Sequence, residues 1–202
     1  HPVSGGSGRI EGHALNWLGN AETTTGWHLE NLFPLGLAGL VFWDVVFAPV
    51  AGAFSHPLQH GPRDLFWPDF ARVRADLIAA RLAELADPPT FRDTLVQTYT
   101  TRQGIANRLV NWNAWSPALL DAVLDTVLAA RAHQPLLALA GYAIRHLERA
   151  RTGFPDLTTI SVDGTLGFVE VKGPTDQLQP AQRVWLRKLV ELGFAARVLQ
   201  FR

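Results

Sequence analysis

The 202-residue chain contains no cysteine and no methionine, and of its eighteen Lys and Arg residues only Lys172 and Lys188 are lysine. The missing cysteines exclude a disulfide framework and any thiolate metal site. The missing methionines, initiator included, point to a processed, excised or engineered chain. Long apolar runs are also lacking. The longest, Leu35 to Ala53, is broken by Asp44 and Pro49, and it reads as buried core rather than as a membrane span. The N-terminus does not show the charged-then-apolar order of a secretory signal. Net charge is lacking too. Eighteen acids balance eighteen bases, which gives little support to a stand-alone DNA-coating surface, because phosphate neutralisation dominates such affinity.

What is present is globular. Hydrophobic residues make up 48% and charged residues 18%, and at 22.2 kDa the chain can bury about 70% of its unfolded surface. One domain over residues 9–202 is expected. Residues 1–8, with Ser4-Gly-Gly-Ser-Gly8, read as a linker or a disordered segment. Charge is unevenly spread: from Gly141 to Arg202 there are nine bases against six acids. Arg145 and Arg149, four apart on a predicted helix, share a face, with Arg151 close by. This is either a solvated helix surface or, beside a catalytic centre, a patch that contacts phosphates.

Periodicity predicts a short helix around 10–18, a loop over 23–26, and a helix from about His28 to Phe47, bent near Pro34. Residues 61–150 read as all helix: 72–85, 91–101, 105–111, a helix opened by Ser116-Pro117, and one from Pro135 to Arg151. A hairpin follows, then a helix over 179–192 closed by Gly193, then a strand over 195–201. Asp44 is expected to be an acid bonded within the core.

The hairpin carries the chemistry. Pro155-Asp156 precedes a β-branched run, Asp163-Gly164 is a strong turn signal, and Glu170-Val171-Lys172 closes the return strand. Pairing across this turn lays Asp156 near Glu170, and period-two pleating puts Glu170 and Lys172 on one face. Glu-x-Lys alone is ordinary alternation on an exposed strand. Joined to Pro-Asp, it places two carboxylates and an ammonium around one phosphate. In a chain that otherwise uses arginine, lysine at 172 suggests a compact point charge with a tunable pKa. Metal-assisted phosphodiester hydrolysis needs such a set: acids to hold Mg²⁺ or Mn²⁺, and an amine beside the water. Asp156, Glu170 and the Val171 carbonyl are candidate ligands, and Lys172 is the group that orients or deprotonates water. Glu30, at the start of an otherwise apolar helix, is the candidate third acid. It could equally be a first-turn Glu that complements the helix dipole.

The strings Phe154-Pro-Asp-Leu, Phe168-Val-Glu-Val-Lys-Gly-Pro-Thr-Asp176, Gln182-x-x-Trp185-Leu and Leu192-Gly193 resemble the VRR-NUC branch of the PD-(D/E)XK nucleases. More narrowly they resemble the Fanconi-associated nuclease family. Upstream, His28-Leu-Glu-Asn-Leu-Phe33, Leu40-Val-Phe-Trp-Asp-Val-Val-Phe47 and Leu109-Val-Asn-Trp112 carry the resemblance back to about residue 10. The resemblance implies that Glu30, Asp156, Glu170 and the Val171 carbonyl bind Mg²⁺ or Mn²⁺. It further implies that Lys172 is the catalytic lysine and that Gln182 is the helix glutamine near the active site; with that assignment the uneven charge makes Arg145, Arg149 and Arg151 the candidate DNA-binding residues. Ala181 departs from members with a basic residue beside that glutamine. The implied fold is α/β: a restriction-endonuclease-like α-β-β-α-β core over 26–47 and 151–202, with a helical insertion over about 61–150. The implied function is structure-directed cleavage of branched or 5′-flap DNA in repair of the interstrand cross-link type. A monomer inside the cell is expected, in bacterial cytoplasm or a eukaryotic nucleus, lacking the SAP and helical-repeat regions of full-length members. The alternatives are a dimeric Holliday-junction resolvase, which the long insertion disfavours, and a silent DNA-binding module.

Overall fold

The structure is a computed structural model and describes residues 7–201 other than 23 and 57. Helix α1 (Ser7–Glu22) presents Ala14 and Leu18 to Leu157, Val169 and Val171, with Ile10 and Leu15 flanking them. Strand β1 (Thr25–His28) follows. A Cβ at Gly26 would stand 2.6 Å from Leu15 Cδ2, so closely does the helix approach the strand. Helix α2 (Leu32–Val41) is apolar all round and buried almost throughout, as expected of a central core helix. Its Gly36 makes room for Trp115, whose Nε1 donates to the Leu32 carbonyl at 2.9 Å.

Of the helices α3 (Trp43–Val46), α4 (Phe70–Val73), α5 (Ala75–Glu84), α6 (Pro88–Arg102), α7 (Pro117–Ala129), α8 (His133–Arg145) and α9 (Leu147–Ala150), α3, α6, α8 and α9 pack on α2, while α4, α5 and α7 pack on α8. Two begin on side-chain caps, of which the one at Ser116 was expected. Asp87 accepts from Thr90 N at 3.1 Å and Ser116 Oγ accepts from Leu119 N at 3.2 Å, each ahead of a proline in the first turn. Strands β2 (Leu157–Ile160) and β3 (Leu166–Lys172) pair antiparallel. Helix α10 (Pro180–Glu191) then crosses over to β4 (Ala195–Gln200), which lies parallel to β3. The sheet order is β1-β2-β3-β4.

An aromatic column fixes the segment that leads into β2. Phe154, one residue before Pro155-Asp156, meets Phe33 of α2 (centroids 6.0 Å apart), Phe168 of β3 (5.1 Å) and Trp185 of α10 (5.0 Å). Burying one such ring contributes about 2–3 kcal/mol. Here it also pins the backbone that carries the acid.

Several expectations need correction. Residues 25–28 form a strand paired to β2 (Thr25↔Ile160 through His28↔Leu157) where a loop and a helix start were expected. Glu30 therefore lies in a turn, at φ +46°, ahead of α2 rather than on it. The helix breaks at Phe42 and not at Pro34, because Pro34 falls in the first turn, where no N–H is required of it. Residues 105–111 are not helical. Gly104 ends α6 at φ +82°, and Asn107 Oδ1 accepts from Leu109 N and Val110 N, a local turn that outcompetes a helix. The helix expected from 135 starts at 133 and breaks at His146. Asp44 points outward and pairs with Arg81. Helix α1 takes in Ser7 and Gly8; the rest of the presumed linker, residues 1–6, lies outside the described residues. No helix among the described residues is long and apolar enough to cross a membrane.

Candidate active site

Register places the two hairpin acids. Leu157 pairs with Val169, so Asp156 falls opposite Glu170 just beyond the ladder. The Asp156 carboxylate accepts from Val171 N at 2.7 Å, which turns it across the end of the sheet. Its carbonyl accepts from Leu29 N at 3.1 Å and Glu30 N at 3.2 Å, and Asn31 Oδ1 accepts from Phe154 N at 3.0 Å. The exit of β1 and the entrance of β2 are thus sewn together. That is how Glu30 comes to lie beside acids far from it in the chain.

Glu170 is 1% exposed. Its Oε1 accepts from Gln182 Nε2 at 2.6 Å and from Lys172 Nζ at 2.8 Å, while its Oε2 has no hydrogen-bond partner among the described residues. Gln182 is itself fixed, because its Oε1 accepts from Gln179 N at 2.8 Å and so caps α10. Burial pushes the Glu170 carboxyl up to about 7, against the pull of Lys172 and with the help of the Asp156 charge. Burial also raises Asp156; the Val171 N–H opposes this, and the charges of Glu11 and Glu30 add to it. Buried acids that resist ionising, one of them with an unbonded oxygen, fit a divalent cation.

Glu30 is half exposed and bonded to His28 Nε2 at 2.9 Å. Two neighbours of Asp156 were not among the candidates, Glu11 and His28. Glu11 on α1 is 3% exposed, and one donor atom each from Glu11, His28 and Asp156 lie within 4.8 Å of one another. The available signal was an acid three residues before Ala14, on the apolar stripe of α1.

The basic residues lie along α8, α9 and α10. Arg145 donates to Gly141 O at 3.0 Å, and Arg149 to Tyr142 Oη at 3.4 Å. Arg151 stacks on Phe66 at 4.6 Å and stands 3.8 Å from Glu148. Because the helix breaks at His146, the three do not form one regular face. Arg149 and Arg145, with Lys188, nevertheless surround His146: burial lowers that imidazole, and these three charges lower it further. Trp185 Nε1 donates to Arg149 O and Thr152 O, both at 3.1 Å, and so ties this patch to the helix that carries Gln182.

The sequence profile described as the VRR-NUC domain matches residues 88–202, more than half of the chain. The chain belongs to the VRR-NUC domain family. Among relatives of this VRR-NUC chain, the Fanconi-associated nuclease 1 homolog of Pseudomonas aeruginosa is 35% identical over 161 residues, covering 79% of this chain and 28% of the relative. The Oryza sativa homolog is 32% identical over 197 residues, covering 94% and 20%. A crystal structure of paFAN1 bound to 1-nt 5′-flap DNA with a gap superposes with a TM-score of 0.86 at 31% identity, covering all of this chain and 36% of that one. The α/β fold with its four-stranded mixed sheet matches that structure. The chain spans between a fifth and about a third of the length of these relatives.

Proposed function

We propose that this VRR-NUC chain is the catalytic part of a divalent-metal-dependent nuclease that hydrolyses phosphodiester bonds in branched or 5′-flap DNA, in repair of the interstrand cross-link type. The observation that carries the reading is the Glu170 carboxylate, buried beside Asp156 with one oxygen held by Gln182 and Lys172 and the other unbonded. The family membership and the flap-DNA complex of a relative support it. The order α1-β1-β2-β3-α10-β4 adds α1 and β1 to the α-β-β-α-β core expected over 26–47 and 151–202, and in this reading it is a PD-(D/E)XK core with residues 61–150 as the helical insertion.

In this reading Asp156, Glu170 and the Val171 carbonyl hold Mg²⁺ or Mn²⁺, and Glu30 is the third acid. A cation bound there activates water and offsets charge on the leaving oxygen. Gln182 keeps Glu170 in one rotamer, and the Val171 N–H does the same for Asp156. The Lys172 ammonium, 2.8 Å from Glu170, orients the attacking water and offsets charge on the phosphate. Arg145, Arg149 and Arg151 contact phosphates of the duplex that approaches along α10. Substrate choice is shared with SAP and helical-repeat regions outside this chain, and the catalytic unit acts as a monomer.

The test is cleavage of 5′-flap, 3′-flap, four-way and single-stranded DNA with and without Mn²⁺. Cation-dependent cleavage that favours the 5′ flap and disappears in Glu170→Gln is expected. Paired nicking of four-way junctions by a dimer would favour a resolvase instead. Mn²⁺ and DNA binding with no cleavage would make the chain a silent binding module.

A further inference from the structure

The segment that leads into α4 carries two adjacent aromatic side chains in opposite surroundings. Phe66 is half-buried and packs against the core, whereas Trp67 leaves 62% of its surface exposed. Among the described residues the Trp67 indole has no ring partner, no cation over it and no hydrogen bond. Its backbone is nonetheless held firmly. Trp67 N donates to Asp64 O at 2.8 Å, and the Trp67 carbonyl accepts from Phe70 N at 3.1 Å. The Asp64 carboxylate is clasped in turn by the buried Arg74, at 2.6 and 3.2 Å. Tryptophan is ordinarily well buried, so a bare indole on a fixed turn is a surface for contact.

The turn faces α8 and α9 across a cleft of about 480 Å³, within the range of small-ligand sites at about 300–1,000 Å³. Phe66, Trp67 and Pro68 line it with Arg145, His146 and Arg149. Two guanidinium groups also lie over the Phe66 ring, that of Arg151 at 4.6 Å and that of Arg108 at 4.8 Å. The acids nearby are mostly paired elsewhere: Asp64 with Arg74 and Asp69 with Arg72, which leaves Glu148 at 3.8 Å from Arg151. In a chain of zero net charge, an open aromatic face thus sits in a local excess of cations.

We propose that Trp67 is a stacking platform for an unpaired base of single-stranded DNA. Arg145, Arg149 and Arg151 take the phosphates that flank the base, and the Phe66 ring holds the Arg108 and Arg151 guanidinium groups in place. A ring among cations suits a single strand, because its bases offer open faces for stacking. A duplex keeps its bases stacked on one another and meets only the cations. Arg151 precedes Asp156 by five residues, so their Cα atoms lie within about 18 Å, or about five nucleotide steps of 3.4 Å. The platform therefore holds the strand close to the candidate active site. The inference rests on the nuclease reading for its polymer, DNA, and names the unpaired arm as the part recognised.

The test is binding alone, on the full chain in chelator at low salt, with labelled oligo(dT), an abasic strand of equal phosphate count, and a duplex of equal length. The wild type should prefer oligo(dT) to the abasic strand. Trp67→Ala should weaken oligo(dT) binding by about 5- to 150-fold and leave the abasic strand and the duplex unchanged. Its salt slope should not move, since no charge is removed. Trp67→Phe should recover most of the loss, with folding of both variants checked by circular dichroism. Absent or equal binding of the two strands by the wild type would overturn the platform. So would a Trp67→Ala chain that binds oligo(dT) as the wild type does, or that loses equally on both strands. No cation or hydrolysis enters the measurement, so these outcomes leave cation-dependent cleavage standing. A wild type that stacks oligo(dT) but cleaves nothing would overturn the cleavage reading alone.

Discussion

Gln182 joins two structures with its two amide atoms: Nε2 donates to Glu170 Oε1 at 2.6 Å, and Oε1 accepts from Gln179 N at 2.8 Å. The side chain that starts α10 also orients a buried acid of the candidate site. Gln182→Ala should therefore do two separable things. Loss of the cap should cost about 1 kcal/mol in urea unfolding. Loss of the amide donor should also weaken cation binding, seen as a right-shifted Mn²⁺ titration. A stability loss with an unchanged Mn²⁺ titration would restrict Gln182 to capping.

The sign of the pH dependence follows from Glu170. Its folded pKa, about 7, lies above the ordinary 4.5, so between these values the native state binds more protons than the unfolded state. Stability of the metal-free protein should be full below about pH 4.5, decline as pH rises towards 7, and level off above it. Asp156, also raised, adds in the same direction. Thermal melts in chelator should show this decline, and Glu170→Gln should flatten most of it. Mn²⁺ should restore stability at pH 7 more than at pH 5. A metal-free melting point that rises from pH 5 to 7 would contradict the assignment.

Lys172→Arg should abolish most cleavage while Mn²⁺ binding stays largely intact. Arginine keeps the charge but brings a broad fork to a side chain that is 12% exposed, so it cannot hold water where the compact ammonium does. Single-turnover cleavage beside a Mn²⁺ titration separates the two properties. Wild-type rates in the variant would mean that charge alone matters at this position.

Two glycines should respond in opposite directions. A Cβ added at Gly12 in α1 would meet nothing within 4 Å, so Gly12→Ala should stabilise by up to about 1 kcal/mol. A Cβ at Gly36 would stand 1.9 Å from Trp115 Nε1, so Gly36→Ala should destabilise by about 1–3 kcal/mol or more. Chemical denaturation with near-ultraviolet dichroism for Trp115 reads both.

DNA binding by this chain alone should be weak and only shallowly dependent on salt. Net charge is zero and the cations cluster around His146, so on the order of two to four phosphates are neutralised, at about 0.9 per contact. Arg149→Ala with Arg151→Ala should weaken binding and flatten the slope without changing Mn²⁺ affinity. Tight, flap-selective binding at physiological salt would place shape recognition within this chain.

The hairpin was legible because its signals are local and agree: Asp-Gly at the turn, alternation on both arms, and an acid at a register the turn dictates. The cap at Ser116 was legible for the same reason, whereas the cap at Asp87 was read only as the stop of the helix before it. β1 was not, because four residues give too little alternation, and its strand character comes from pairing with β2, far along the chain. Missing β1 displaced Glu30 onto a helix and hid His28. Glu11 was hidden differently: a helical acid is ordinary until the helix is seen to set it against Asp156. The break at His146 follows no proline or glycine, and α9 packs by tertiary contact.

The bond from Phe154 N to Asn31 Oδ1 spans 123 residues, and the Asp156 carbonyl is clamped by Leu29 N and Glu30 N across a similar gap. Closure of so long a loop costs more chain entropy than closure of the local 156–170 hairpin. A nascent or partly unfolded chain therefore holds Glu30 apart from the hairpin acids Asp156 and Glu170. A cation that needs Glu30 as well as the hairpin acids would bind only the closed state and, by mass action, favour it over states in which the clamp is open.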